Sequence, residues 1–191
     1  MRRILMIALP LASMVFLFSC SGSRKMSRDK FVPFTKDLKM RLERENIDLR
    51  QVQFYVDQEL ILSRNLGDVK LEVHSGVVKL ESGKYINEVI IPAFTPGICD
   101  TVNNDKLMVS FEQGANSLAF GPGSGYTFNQ YVLYGTDWKN GTAAITYDSN
   151  KFRARCGTCQ DIASATLVIR KTAIDKIERK THIVKGRTVG N

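Results

Sequence analysis

Apolar residues fall along this chain in three rhythms. The first is an unbroken run. Ile4 to Phe18 carries no charge and is interrupted only by Pro10 and Ser13. About 15 such residues suit the core of an export signal and fall short of what a membrane-spanning helix needs. Ser21 to Lys30 then reads as a polar, flexible tether. The second rhythm is short and helical. Thr35 suits an N-cap and Asp37 places negative charge in the first turn of a helix over about 36–45 that stops at Asn46, although Leu38, Met40 and Leu42 do not form a clean stripe.

The third rhythm has period two and fills most of the chain. Val52, Phe54 and Val56 alternate with polar neighbours, followed by Leu60 and Leu62, then Val69, Leu71 and Val73, then Val78 and Leu80. Ser82-Gly83 marks a turn, and Ile86, Val89 and Ile91 follow. Thr95-Pro96-Gly97 is read as a bend. Leu107, Val109 and Phe111 lie between two turn-forming stretches. Further strands are expected at Tyr131 to Tyr134, Ala143 to Tyr147, Phe152 to Arg155 and Ala163 to Ile169, with Asp148-Ser149-Asn150 as a hairpin turn. Short strands bounded by Gly, Pro, Asn and Asp predict a mainly all-β domain, a small β-barrel or β-sandwich, preceded by the short helix. The predicted organisation is 1–19 signal, 20–33 tether, 34–170 β-rich domain and 171–191 basic C-terminal tail, with no internal repeat.

Charge sharpens this picture. The chain holds 27 basic and 19 acidic side chains, a net +8. The excess gathers near the ends: Arg24, Lys25, Arg28 and Lys30 after the signal, then Arg170, Lys171, Lys176, Arg179, Lys180, Lys185 and Arg187. Such flanks suit anionic headgroups or an acidic partner, or are simply solvated ends. No nucleic-acid recognition motif accompanies them, so no nucleic-acid partner is expected.

Behind Arg2 and Arg3 and the apolar core comes Leu17-Phe18-Ser19-Cys20. It resembles the lipobox of bacterial lipoproteins: a branched apolar residue, a small residue before the cut, then a thiol to carry diacylglycerol. The resemblance implies cleavage before Cys20, lipid attachment (diacylglycerol, with palmitate-type acylation) at Cys20, and anchoring in the cell envelope. Ser21 in place of aspartate after the cysteine implies the outer membrane, with the periplasmic or surface side open. No cofactor beyond the covalent lipid is expected.

Cys156-Gly157-Thr158-Cys159 is the most pronounced chemical motif. A structural disulfide, pairing that involves Cys99, and a redox pair all stay open. Removing Cys20 leaves three cysteines, which makes Cys99 the candidate free thiol. The chain lacks the further ligands of a four-ligand zinc site, so no metal is expected. Gly121-Pro122-Gly123-Ser124-Gly125 lacks the lysine of a phosphate loop and reads as a hairpin loop. His74 and His182 are isolated, and Asp48, Asp57, Glu59 and Asp68 are scattered over turns. No catalytic residues are assigned. Tyr126, Tyr131, Tyr134 and Trp138 either pack in the fold or line a binding patch.

The stretches Leu49 to Tyr55 and Ile61 to Arg64, with Ile91-Pro92, Thr95-Pro96-Gly97 and Leu107 to Glu112, resemble the TssQ lipoproteins of the Bacteroidota-type type VI secretion apparatus. That resemblance spans about 35–170 by pattern and implies a non-enzymatic structural or assembly component of an envelope complex, with envelope proteins as partners. Two alternatives stand beside it. One is a ligand-binding envelope lipoprotein for a glycan or nutrient, using the aromatics near Phe128 to Trp138. The other is an envelope thiol-disulfide protein using Cys156 and Cys159.

Overall fold

Burial follows the alternation that the sequence predicts. The computed structural model describes residues 27–67, 76–114 and 116–178. Along β2 (Gln53–Val56) and into β3 (Leu60–Gly67), Phe54, Val56, Leu60 and Leu62 are fully buried. Leu107 and Val109 of β7 (Lys106–Ser110) are buried likewise. So are Ala143 and Ile145 of β11 (Thr142–Tyr147), and Phe152 and Ala154 of β12 (Asn150–Cys156). Every other side chain points to one face, and these faces share one core.

The remaining strands are β1 (Phe31–Pro33), β4 (Val77–Glu81), β5 (Lys84–Ile91), β6 (Pro96–Asn103), β8 (Ser117–Pro122), β9 (Tyr131–Leu133), β10 (Thr136–Lys139) and β13 (Leu167–Arg170). They form two antiparallel sheets. One runs β1-β13-β2-β6-β7-β8-β9 and the other β10-β11-β12-β3-β5-β4. The layers pack as a sandwich, with Phe34, Phe54, Leu62, Phe120, Tyr131 and Phe152 among its filling. In the first sheet, β9 also reaches back toward β13: Tyr131 N donates to Phe34 O at 2.9 Å and Leu133 N to Ala165 O at 3.2 Å.

Helix α1 (Lys36–Arg44) begins where its cap predicts. Thr35 Oγ1 accepts from Leu38 N at 3.1 Å. Leu42 enters the core and Met40 stays exposed. Asn46, at φ 55°, takes the left-handed position that ends the helix, and Ile47 N donates to Leu42 O. Three hairpin turns carry positive φ at both central residues, Ser82-Gly83, Asn140-Gly141 and Asp148-Ser149. That matches the twist of the strands they join.

Several expectations need correction. Phe31–Pro33 is not the end of a tether but a strand paired with β13, Phe31 opposite Arg170. Pro96 and Gly97 open β6 instead of forming a bend; the turn lies just before, where Thr95 N donates to Pro92 O. Gly121 and Pro122 belong to β8, so the glycine-rich stretch is only partly a loop. Residues 162–164 form a 3-10 turn ahead of β13, not the start of its strand. β4 forms where Val78 and Leu80 predicted a strand, but at the sheet edge it has no buried face: Val78 is half-buried and Leu80 is 67% exposed. Lys171–Glu178 is a second helix, α2. Val69, Leu71, Val73, Asp68, His74, His182, Ile183 and Cys20 lie outside the described residues.

Candidate functional site

The cysteine motif sits where β12 leaves its sheet. Cys156 and Cys159 are joined as a disulfide, and Cys99 is left as a buried free thiol. Gly157 N donates to Glu59 O at 2.9 Å, and Thr158 Oγ1 meets Gln58 Oε1 at 2.9 Å, so the loop is stitched to the β2–β3 connection. A Cβ on Gly157 would lie 2.0 Å from Glu59 Oε1. The next helical turn, Ile162–Ser164, starts after Cys159. The motif therefore lacks the helix N-terminus that lowers a thiol pKa in thioredoxin-like redox pairs. Cys99 lies on β6 with its Sγ 3.6 Å from Thr101 O, and burial pushes its thiol up to about 11.

The aromatic residues grouped by sequence part company in space. Tyr131 is wholly buried in the core, where its hydroxyl has no hydrogen-bond partner and burial raises it to about 12. Trp138 lies on β10, the edge of the second sheet, with its Nε1 donating to Gly135 O at 3.0 Å. Tyr134 lies under Lys106 Nζ, 3.3 Å from the ring centre. It also lines a groove of about 690 Å³ to which both sheets contribute, with Arg64, Met108, Asp137, Phe152 and Arg153. Arg153 is paired with Asp137 at 2.5 Å, and Arg64 lies over the Phe152 ring and donates to Asn150 Oδ1.

Tyr126 and Phe128 occupy a different place, at the root of the chain. A groove of about 320 Å³ is lined by Arg28, Phe31, Asp57, Phe94, Tyr126 and Val168, among others. Its floor is a small aromatic cluster on the outer face of the first sheet. Phe31 stacks on Phe94 at 4.8 Å and meets Tyr55 edge-on at 4.9 Å. Arg170 lies over the Tyr55 ring at 5.3 Å, and Arg28 Nη2 reaches Asp57 O at 3.4 Å. Asp57 Oδ1 accepts from Thr166 N at 2.7 Å, yet burial pushes its carboxyl above the ordinary range. The sequence placed Asp57 among scattered turn carboxylates. Only the β2–β13 pairing shows that it sits against Thr166.

Asp48, by contrast, is held below the usual range by hydrogen bonds from the Arg50 side chain and amide. Among the described residues no group of three His, Cys, Asp or Glu can hold a metal ion, and no helix is long and apolar enough to cross a membrane. No protein-family model, curated protein or solved structure matches the chain.

Proposed function

We propose that this chain is a lipid-anchored envelope lipoprotein that serves as a non-enzymatic structural or assembly component of a membrane-bound complex. One observation carries the reading. The lipobox-like Leu17 to Cys20 is followed within seven residues by Ser27, where the described fold begins, and β1 is paired into a sheet edge four residues later. A thioether at Cys20 would hold the domain against its bilayer on a stub. Two further features support an assembly role. β4 lies at the edge of the second sheet with Val77 and Leu80 exposed, a strand edge of the kind that partners extend. The resemblance to the TssQ lipoproteins supports the same role, and Ser21 in place of aspartate after Cys20 supports the outer membrane.

Expression in a lipoprotein-processing bacterium tests the anchor. The mature protein is expected to enter the detergent phase of a Triton X-114 partition, with an N-terminal peptide carrying diacylglycerol on Cys20. Cys20→Ala should move it to the aqueous phase. An unmodified Cys20 would overturn the anchor. Cross-linking before detergent extraction tests the assembly role, and recovery of a bare monomer would count against it.

The groove of about 690 Å³ lined from both sheets favours a second reading, binding of a small polar or anionic molecule beside Tyr134 and Arg64. Native mass spectrometry against a panel of oligosaccharides and sugar phosphates tests it. Retained ligand that Tyr134→Ala releases supports it; no retained ligand rejects it.

A further inference from the structure

The root of the chain combines features that seldom occur together on a soluble surface. Tyr126 and Phe128, in one turn, are 72% and 77% exposed. Tyr126 stands on the rim of the groove floored by Phe31 and Phe94. Arg28 and Lys30 are exposed on the turn that leads into β1. Because Phe31 pairs with Arg170, Lys171, the exposed first residue of α2, lies beside Lys30. Aromatic rings with a polar or polarisable edge favour the headgroup layer of a membrane, and each basic side chain near an anionic surface adds to the attraction.

Chain length supplies the independent constraint. From Cys20 to Ser27 there are seven residues. A fully extended chain covers at most about 3.6 Å per residue, so Ser27 lies within roughly 25 Å of a lipid-bearing Cys20. On the lipoprotein reading proposed above, some face of the domain must sit near the bilayer, and the face nearest the tether is the one described here.

We propose that this face, formed by Arg28, Lys30, Phe94, Tyr126, Phe128 and Lys171, rests on the anionic phospholipid headgroups of the bilayer that holds Cys20. The aromatic side chains enter the headgroup layer while the basic groups meet phosphate. The acyl anchor then fixes position, and the face fixes orientation. Asp29, Asp37 and Asp57 are carboxylates of this region, and Asp37 accepts from Asn129 Nδ2 at 2.6 Å. Asp29 is engaged by the Ser27 hydroxyl, and Asp57 is turned toward Thr166.

The test uses the acylated protein purified from membranes and placed in phosphatidylcholine vesicles containing brominated phosphatidylglycerol, whose bromines quench nearby tryptophan. Trp138, the chain's single tryptophan, lies on the edge of the other sheet and serves as the internal control. Phe128→Trp in a Trp138→Phe background is expected to be quenched at least twofold more than Trp138 in the wild type. Arg28→Glu with Lys30→Glu in that background should return quenching to the control level. Equal quenching at both positions, or quenching indifferent to charge reversal, overturns the proposal; a protein partner or a second copy on this face would give that result. Mass analysis of the same sample separates the two failures. Acylated protein with an unquenched Phe128→Trp sinks the docking face alone, whereas an unmodified Cys20 sinks the anchor and the docking face with it.

Discussion

Asp57 accepts an amide hydrogen bond, yet its carboxyl is pushed up, because burial costs the ionised form more than the bond returns. The fold therefore favours the protonated form more than the open chain does. Its contribution to stability is fullest below the usual carboxylate range and falls as pH rises through the raised value. Asp57→Asn keeps an acceptor for Thr166 N and removes the charge. It is expected to raise the melting temperature at neutral pH and to flatten its pH dependence on the acid side, read by calorimetry. Tyr131 follows related logic, since its buried hydroxyl has no partner. Tyr131→Phe is expected to be neutral or to stabilise by about 1 kcal/mol, because an unpaired polar atom leaves the core while the ring stays. Cys99 should resist iodoacetamide in the folded protein and react on denaturation, as a buried thiol with a raised pKa would.

Elements show why parts of the fold were legible and parts were not. Strands with one buried face announced themselves by alternation, as Phe54, Val56, Leu107 and Val109 did. Helix α1 announced itself by its cap although its stripe was poor: Leu42 alone of its apolar residues is fully in the core, and Lys39 is covered while pairing with Glu43 at 2.6 Å. β6 was hidden because Pro96 and Gly97 look like a turn, yet proline is tolerated at the first position of a strand. Gly97 is needed there, since a Cβ would lie 2.7 Å from Val109. β8 was hidden by the glycines that follow it. Asn140-Gly141, both at positive φ, join β10 to β11 and were the signal for that missed hairpin. The chemical surfaces were less legible still. Tyr126 and Phe94 are far apart in sequence, and only the sheet brings them to one groove. At this scale the Cys156–Cys159 disulfide closes a loop of four residues, so chain entropy gives it roughly 2 kcal/mol. Replacing both cysteines by serine is expected to lower the melting temperature by about 4–8 °C and to leave the circular dichroism of the fold intact. Gly76→Ala should cost more, because Gly76 sits at φ +83° with Glu88 O 2.3 Å from the new Cβ.

For the whole molecule, the two sheets share one core, so cooperative unfolding as a single unit is expected. At one margin of that unit β1 and β13 are antiparallel neighbours: Phe31, where β1 begins, lies opposite Arg170, where β13 ends and α2 follows, with Ile174 of α2 against the core. The geometry has a mechanical consequence. If Cys20 is anchored as proposed, tension between it and a partner gripping the C-terminal segment would first draw Ile174 off the core and then load the β1–β13 pair in peeling, with its rungs parting singly from Phe31 inward, instead of in shear, where all of them resist together. A three-rung pair loaded this way yields at low force, so traction on the anchor would free β1 and lengthen the leash while the rest of the sandwich holds.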